Sequence, residues 1–404
     1  MSTKAGVGFS NNTNSKEAGA EAAKKAMQQA GATECDLAII YSTSKHDPAQ
    51  VRDGIRSVLG SKANMIGGYA VGIITKDQLS YGGYELGVAI VSSKTAKFNL
   101  FSEKGLGTGG ELQVGTKLGQ QIKSSVGTSD GGILLMYDSV RGQNANLLNM
   151  ATPLLQGMNE GLSGKWPTIA GVGLLGDMQF QPTKQWFNDQ IETQTAAALT
   201  FSGGVRMDTV IMHGCKPAGG YHKITKTDGA VILEIDGMKA TDMIGKLLGP
   251  DSDKTWEDYP LFVTLGVNKG DKFGAFNEEN YANRLCMAVD KERGGLVMFE
   301  PDLKAGDEVQ LMRRNIDFSY IGQRAKDLFD RIGSRKPFLA IYIDCAGRAS
   351  AYCGSEREEA EEVQKIVGSK VPLLGMYSGV EVAKVGKDIQ PLDWTGVLCV
   401  LSEP

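Results

Sequence analysis

The chain has 404 residues, too many for one ordinary core, and its charged and apolar fractions of 22% and 41% are typical of a folded globular protein. Its formal net charge is −4 and no basic cluster occurs, which argues against nucleic acid as a partner. The chain has no apolar run near the roughly 20 residues of a membrane span, no signal-peptide core and no CxxC spacing among its six cysteines, so we expect a reduced cytoplasmic protein without membrane contact.

Near the N-terminus, after a short strand at 5–10, five kinds of element follow one another. They are an amphipathic segment, an apolar strand, a short polar loop, a helix and a glycine-containing turn. In this first unit they lie at 17–29, 36–43, 44–48, 50–59 and 65–72, and the turn includes Gly67.

The same order returns twice. The second unit has its elements at 114–124, 132–137 and 138–142, a helical stretch through Leu147 and Leu154, and a turn at 169–177 that includes Gly171. The third has them at 321–332, 338–343, 344–348, 355–367 and 373–381, and its turn includes Gly375. Ser355 and Glu358 have the spacing of a capping box, which predicts that the last helix begins near residue 355.

Between and after these units the pattern predicts further strands. They lie at 84–91, 196–199, 205–212, 221–226, 230–237, 261–267, 296–299, 308–312 and 394–401. Asp228-Gly229 predicts the turn of a hairpin, and Gly249-Pro250 ends a helix at 240–248. The polar, charged segment 251–257 is the most plausible domain boundary.

These elements predict an α/β protein with mixed and parallel sheets, built from three βαβ-like repeats in two packed domains. The first domain, 1–250, would hold two repeats and the second, 251–404, the third. The uneven spacing of the repeats argues against a solenoid. Because open α/β sheets bind ligands beyond the C-terminal ends of their strands, we expect the functional site at the post-strand loops and glycine turns.

Several of these stretches resemble the FIST sensory domain family. The tail resembles its C-terminal half through Cys345-Ala346-Gly347-Arg348, Glu358-Glu359 and the run 372–381, and the stretches 213–217 and 224–240 resemble the end of its N-terminal half. The resemblance covers about residues 5–402. It implies an intracellular module that senses amino acids or related small molecules and acts through a separate output protein, such as a histidine kinase or cyclase. Some bacterial relatives resemble haem-binding nitric-oxide sensors, which leaves haem as an alternative to a cofactor-free protein.

Two arginines follow strand-ending aspartates in matching loops, Arg348 after Asp344 and Arg141 after Asp138. A guanidinium there could hold a ligand carboxylate or another anion by a bidentate fork, next to the backbone of Gly347. The alternative is an ion pair with the aspartate of the same loop.

The third glycine turn offers Tyr377, Ser378 and Glu381 to read the polar groups of a ligand. Alternatively, the tyrosine packs between domains and the glutamate caps a backbone end. Backbone N–H groups of the turns that contain Gly67, Gly171 and Gly375 would assist in binding an anion.

Cysteine and histidine chemistry supplies two further hypotheses. Cys345 could be a reactive thiol beside a cation, and Cys215 could pair with His213, but a small buried filler is the alternative for such cysteines. One of His46, His213 and His222 could be a haem ligand, although such histidines are more often structural. We therefore expect a small-ligand sensor without catalysis, with a haem-based gas sensor and a cysteine-based enzyme as alternatives.

Overall fold

Each of the three repeats forms the centre of one six-stranded mixed sheet in the computed structural model, which describes residues 3–124, 131–142, 148–314 and 318–404. In spatial order, the first sheet contains β1 (Lys4–Ser10), β6 (Leu86–Ser92), β2 (Leu37–Ser42), β3 (Asn64–Tyr69), β10 (Gln185–Phe187) and β11 (Gln190–Glu192). The second contains β7 (Lys97–Lys104), β12 (Thr195–Ser202), β8 (Gly132–Asp138), β9 (Thr168–Leu174), β24 (Val380–Val385) and β25 (Asp388–Leu392). The third contains β13 (Arg206–Met212), β26 (Gly396–Glu403), β22 (Lys336–Cys345), β23 (Leu373–Ser378), β4 (Gly72–Thr75) and β5 (Leu79–Tyr81).

The three sheets share one internal plan, which confirms the predicted repeats. At the centre of each is a parallel pair joined through a helix: β2 with β3, β8 with β9, and β22 with β23. A hairpin supplied by another repeat pairs antiparallel with the second strand of each pair. Thus β4–β5 of the first repeat extends the third sheet, β10–β11 of the second extends the first, and β24–β25 of the third extends the second.

This cyclic exchange of hairpins interleaves the two halves of the chain. Strand β13 and hairpin β4–β5 come from before residue 250 and complete the third sheet, while β24–β25 comes from after it and completes the second. The halves therefore pack through shared sheets and not only through side chains.

Paired helices cover the outer face of each sheet. They are α1 (Ser15–Ala30) and α2 (Pro48–Leu59) on the first, α3 (Glu111–Lys123) and α4 (Ala151–Gly161) on the second, and α6 (Ser319–Ile332) and α8 (Ala360–Val367) on the third. The inner faces meet in one common core, which includes Tyr41, Met136 and Ile343. We call the three sheets and these six helices the prism. Because both faces of its central strands are buried, those strands are continuous apolar runs in the sequence.

A second unit, which we call the barrel, is an antiparallel sheet closed on itself. Its strands are β14 (Cys215–Pro217), β15 (His222–Asp228), β16 (Val231–Ile235), β17 (Met238–Lys239), β18 (Thr264–Asn268), β19 (Tyr281–Asp290), β20 (Gly295–Met298) and β21 (Glu308–Arg314), and α5 (Ala240–Leu248) packs with them. Pairing of β18 with β21 closes the ring. Residue 250 lies between α5 and β18, so the predicted boundary falls inside the barrel.

Two local predictions need correction. The last helix of the third repeat begins at Ala360, after the short α7 (Ser350–Cys353), and Ser355 caps no helix because its hydroxyl bonds the backbone of Arg357. The stretches predicted as glycine turns are mostly strands β3, β9 and β23. Leu147 of the second unit lies outside the described residues. Among the helices that the structure describes, none is long and apolar enough to cross a membrane.

Candidate functional site

The loops that follow the three central strands meet one another at one end of the prism. Ser44, after β2, donates from its backbone to the carbonyl of Gly176 in the second repeat (3.4 Å). Ser139, after β8, lies against Gly379 of the third repeat, where an added Cβ would be 3.1 Å from its Oγ. Ser350, soon after β22, lies 3.3 Å from the hydroxyl of Tyr81 in the first repeat's hairpin. Each post-strand loop thus touches the turn or hairpin of another repeat.

Arg348 lies among these post-strand loops and is only 2% exposed. Its guanidinium forms ion pairs with Asp344 (Nε–Oδ1, 3.0 Å) and Glu359 (Nη2–Oε2, 2.8 Å). It also donates to three oxygens, the carbonyls of Met212 (2.6 Å) and Trp394 (3.2 Å) and the hydroxyl of Tyr320 (3.2 Å). The expectation that this arginine presents an open fork to a ligand is wrong, and the ion pair with Asp344 is what the structure shows.

Arg141 does not form the ion pair with Asp138 that was the alternative to ligand binding. Its side chain is about one-third exposed and pairs with Glu111 at the start of α3, and its Nε donates to Asn149 (3.4 Å). Asp138 is instead fully buried, accepting hydrogen bonds from Thr183 (2.6 Å) and Gln185 (2.8 Å) and from the backbone of Gln194, and burial raises its pKa to about 6. The predicted ion pair between Arg141 and Asp138 is therefore wrong.

The polar side chains of the third turn are also fully enclosed. Tyr377 donates to Glu358 (2.9 Å), and Ser378 donates to Glu381 Oε1 (2.7 Å). The second carboxylate oxygen of Glu381 has no hydrogen-bond partner among the described residues, and burial raises the pKa of this group. Glu358, proposed as part of a capping box, also accepts from Tyr81 (2.7 Å), so its carboxylate ties the third repeat to the first.

The three candidate glycines lie within sheets and not at a ligand. A Cβ on Gly67 would come within 1.8 Å of the carbonyl oxygen of Ile40, and one on Gly375 within 2.8 Å of that of Tyr342. A Cβ on Gly171 would meet Val382 of the exchanged hairpin at 2.9 Å. These residues let strands and side chains approach closely, which explains them without a ligand.

Both candidate cysteines are buried. Burial raises the pKa of Cys345 well above its usual range and that of Cys215 to about 12, so neither is set up as a thiolate. His213 accepts from the backbone N–H of Cys215 (3.0 Å) and does not face its sulfur as a base would. Gly347 lies beside Cys345 and the ring of Trp394. Both cysteines are therefore better described as small buried side chains than as nucleophiles.

The three histidines do not fit a haem site. His46 is held on both ring nitrogens, by Ser15 (3.1 Å) and by the carbonyl of Tyr84 (3.0 Å). His213 likewise has both nitrogens engaged, with the backbone of Cys215 and that of Glu278. His222 pairs with Asp236 (2.8 Å) at the surface of β15. With both ring nitrogens engaged, neither His46 nor His213 presents a free nitrogen to an iron.

An enclosed cavity does lie at this end of the prism, where the barrel covers it. It is lined by Ser139, Leu148, Asn149, Phe180, Phe299, Glu300, Gly379 and Val380, and at about 10 Å³ it has room for a single water molecule. The cavity combines the loop after β8, the turn after β23 and the barrel. The turn's location at the site follows the sequence prediction, but the barrel's contribution does not.

Buried polar contacts hold the barrel to the prism around this cavity. Glu300 of the barrel accepts from the N–H groups of Ala151 and Thr152 at the start of α4, both at 2.9 Å. Asp393 of the prism accepts from the N–H of Leu285 in the barrel (2.9 Å). Burial raises the pKa of Glu300 to about 7 and that of Asp393 to about 6.

Two further side chains of the barrel, Glu278 and Arg284, also contact the prism. Glu278 of the barrel accepts from the backbone N–H groups of His213 (2.5 Å) and Gly214 (2.8 Å), which follow β13. Arg284, in β19, donates to the carbonyl of Pro391 (2.8 Å) and to Gln390 (3.0 Å) of hairpin β24–β25. Sequence reasoning missed Glu300, Asp393 and Arg284; their only signal was a charged residue within a mostly apolar run.

The raised pKa of Glu300 predicts a pH-dependent stability. Because the folded protein binds this proton more tightly than the unfolded chain does, Glu300 stabilises the fold at low pH, and that stabilisation is lost as pH rises through about 7. One such proton changes the free energy of unfolding by at most about 1.4 kcal/mol per pH unit. We expect Glu300→Gln to remove this downward slope between about pH 5 and 7.5 in urea titrations.

A second variant checks the sign. Hydrogen bonds from Ser10 and Asn12 lower the pKa of the exposed Glu21, so Glu21→Gln should remove a small slope of the opposite sign at lower pH. A Glu300→Gln protein with the parent's full pH slope would contradict the burial argument.

Two family models together match most of the chain. The FIST N domain model matches residues 36–238 and the FIST C domain model matches residues 240–384. An uncharacterized protein of Mycobacterium tuberculosis strain H37Rv, Rv0628c, is 22% identical over 393 residues, which cover 94% of each chain. The uncharacterized protein MJ1623 of Methanocaldococcus jannaschii is 22% identical over 261 residues, 59% of this chain and 49% of that one.

Two solved structures share weaker similarity over the whole chain. A cyanuric acid hydrolase from A. caulinodans aligns with a TM-score of 0.38 and a chorismatase with 0.35, each at 9% identity and covering 100% of this chain and 99% of the other. Likeness at this level says nothing about activity.

Proposed function

The chain belongs to the FIST family, whose domains are associated with small-ligand sensing in signalling, and from that premise we propose that it is a cytoplasmic sensor of a small molecule. The ligand class that we propose is an amino acid or another small carboxylate. The sensor would report its occupancy to a separate output protein, such as a histidine kinase or cyclase.

The observation that supports this proposal is a group of buried polar contacts between the barrel and the prism, which surround a water-sized cavity beside an apolar cluster that includes Leu148, Phe299 and Trp394. Interfaces between units of one chain are generally more polar than permanent ones, and relative motion is expected unless they are large and hydrophobic.

Glu278 and Glu279 of the barrel form ion pairs with Arg324 of α6, at 3.5 and 2.9 Å. Glu300, Asp393 and Arg284 make their contacts to backbone groups or to an amide of the other unit. Such contacts can be exchanged for a ligand or water at little net cost.

The contact of Glu300 with α4 suggests how a ligand would act. Its carboxylate occupies two backbone N–H groups at the beginning of an 11-residue helix, a position that favours an anion. A ligand carboxylate that took the same two N–H groups would release Glu300. Because this ligand binds only when the barrel withdraws, it would shift the protein toward the open arrangement.

In this account Arg348 positions the site and does not touch the ligand. Through hydrogen bonds to the carbonyls of Met212 and Trp394, Arg348 fixes the end of β22 to the C-terminal end of β13 and to the segment that precedes β26. The loop after β22 is therefore rigid, and movement is confined to the barrel.

The test uses the full chain with a defined panel, the twenty amino acids with acetate, pyruvate and succinate. We expect at least one compound to shift the melting temperature, and the same compound to speed hydrogen exchange at Leu285, whose N–H is bonded across the interface to Asp393. The N–H groups of Ala151 and Thr152 should stay protected, because the ligand carboxylate replaces Glu300 as their acceptor. Absence of any shift, together with turnover of a generic ester or amide, would favour the enzyme alternative. A Soret band in the purified protein would favour the haem alternative, in spite of the hydrogen bonds that its histidines make in the structure.

A further inference from the structure

A groove runs along the outside of the prism, between α4 and hairpin β24–β25. It has two lobes, of about 460 and 430 Å³, which share Gly164, Trp166, Lys387 and Ile389 and are therefore continuous. Each lobe is within the usual size of a small-molecule site, roughly 300–1,000 Å³. The groove is separate from the enclosed cavity, with which it shares no lining residue.

Trp166 forms the wall common to both lobes. Its side chain is half-buried, and its Nε1 donates to Asn159 (2.7 Å), which fixes the orientation of the indole. Leu155 lines one lobe and Ile389 lines both. A fixed indole with aliphatic neighbours favours a flat apolar ring as the occupant.

The unmatched charge in the groove is positive. Lys384 and Lys387 are exposed and have no ion-pair partner in the part of the chain that the structure describes. The third cation, Arg331, is paired with Glu279 (2.8 Å). Two of the groove's acids are likewise paired, Asp208 with Arg206 and Asp302 with Arg284, which leaves one carboxylate, Asp388, against two ammonium groups.

The floor of the groove is bound to a buried cation of the barrel. Arg284, 1% exposed, is held by three groove residues: Asp302 (2.5 Å), Gln390 (3.0 Å) and the carbonyl of Pro391 (2.8 Å). An occupant of the groove would therefore lie against the residues that fix the barrel to hairpin β24–β25.

We propose that this groove is a second binding site, specific for an aromatic carboxylate, with the ring on Trp166 and the carboxylate between Lys384 and Lys387. An ammonium on a flexible stem accepts a carboxylate as a point charge and needs no preformed fork. Because Gln390, Pro391 and Asp302 hold Arg284, binding here acts on the same barrel interface as the cavity, from its outer side.

The test is calorimetric titration of the full chain with indole-3-acetate, and with benzylamine as an aromatic probe of the opposite charge. We expect saturable binding of the carboxylate and at least tenfold weaker binding of the amine. The double variant Lys384→Ala/Lys387→Ala should weaken indole-3-acetate binding at least tenfold. A matched variant, Lys24→Ala/Lys62→Ala, removes two exposed lysines elsewhere and should bind as the parent does.

Three results would overturn the proposal. They are no binding of indole-3-acetate at millimolar concentration, equal weakening in the two double variants, or benzylamine binding as tightly as the carboxylate. Trp166→Ala adds a second readout, because loss of the indole should weaken binding while leaving the lysines in place. Trp166 does not line the enclosed cavity, so weaker binding by Trp166→Ala assigns the indole-3-acetate site to the groove and not to the cavity.

Discussion

Replacing Arg348 with methionine should lower the free energy of unfolding by about 3–5 kcal/mol, because it leaves Asp344 and Glu359 buried without their cation. The carbonyls of Met212 and Trp394 lose their donor in the same variant. Urea titration of parent and variant measures this difference directly. Arg348→Lys keeps the charge but has a single ammonium in place of the fork, so we expect an intermediate loss.

A matched arginine in the same repeat provides the control. Arg357 pairs with Glu362 (2.9 Å) on a side chain that is 61% exposed, so Arg357→Met should change the free energy of unfolding by no more than about 0.5 kcal/mol. If Arg348→Met were equally mild, the network around Arg348 would not be structural, and the arginine would again be a candidate to bind a ligand.

Gly157→Ala in α4 should destabilise the protein by about 2 kcal/mol or more. Helices α3 and α4 pack so closely that a Cβ at Gly157 would lie 2.0 Å from the carbonyl oxygen of Leu112, and Gly115 makes the reciprocal contact, 2.0 Å from that of Leu154. Alanine would gain about 1 kcal/mol in helix propensity, but backbone this rigid cannot move aside without repacking both helices. Thermal or urea unfolding of the variant measures the loss.

Gly322→Ala is the control for this effect. Gly322 is also inside a helix, α6, but the nearest atom to its added Cβ is a side-chain methyl of Ile366 at an ordinary 3.7 Å. The propensity gain is then unopposed, and we expect stability unchanged or higher by up to about 1 kcal/mol. Equal effects of the two alanines would contradict the close approach of α3 and α4.

Local elements with strong patterns were predictable from the sequence. Helix α5 spans the predicted residues 240–248, and the centres of β2, β8 and β22 lie where apolar runs were found. A helix stop signal such as Gly249-Pro250 depends on only a few neighbouring residues, and the apolar sequence of a buried strand is the same whichever strand it pairs with. Both signals can therefore be recognised in the sequence without knowledge of the fold.

The exchange of hairpins was not predictable in the same way. No strand was predicted between residues 73 and 81, and only pairing with β23 makes β4 and β5 strands. Short strands such as β10, of three residues, have too few positions to show a period. Their structure depends on a sheet edge supplied by another repeat, which is a tertiary effect.

The candidate site was found in part. The sequence located the loops after the strands, and the structure brings those loops together, but it encloses Arg348, Tyr377, Ser378 and Glu381. A charged residue after a strand has the same local sequence whether it faces solvent or an ion pair. Partners from distant parts of the prism, Met212 and Trp394, decide between these alternatives for Arg348, and such long-range contacts have no local signal.

The proposed function requires that the barrel separate from the prism more easily than either unit unfolds. Native-state hydrogen exchange in low urea tests this requirement most directly. We predict that the amides of Ala151, Thr152 and Leu285, bonded across the interface, exchange through an opening about 2 kcal/mol or more below that of Leu134 and Ile341 in the central strands. Exchange of all five amides only through global unfolding, with one common free energy, would contradict it.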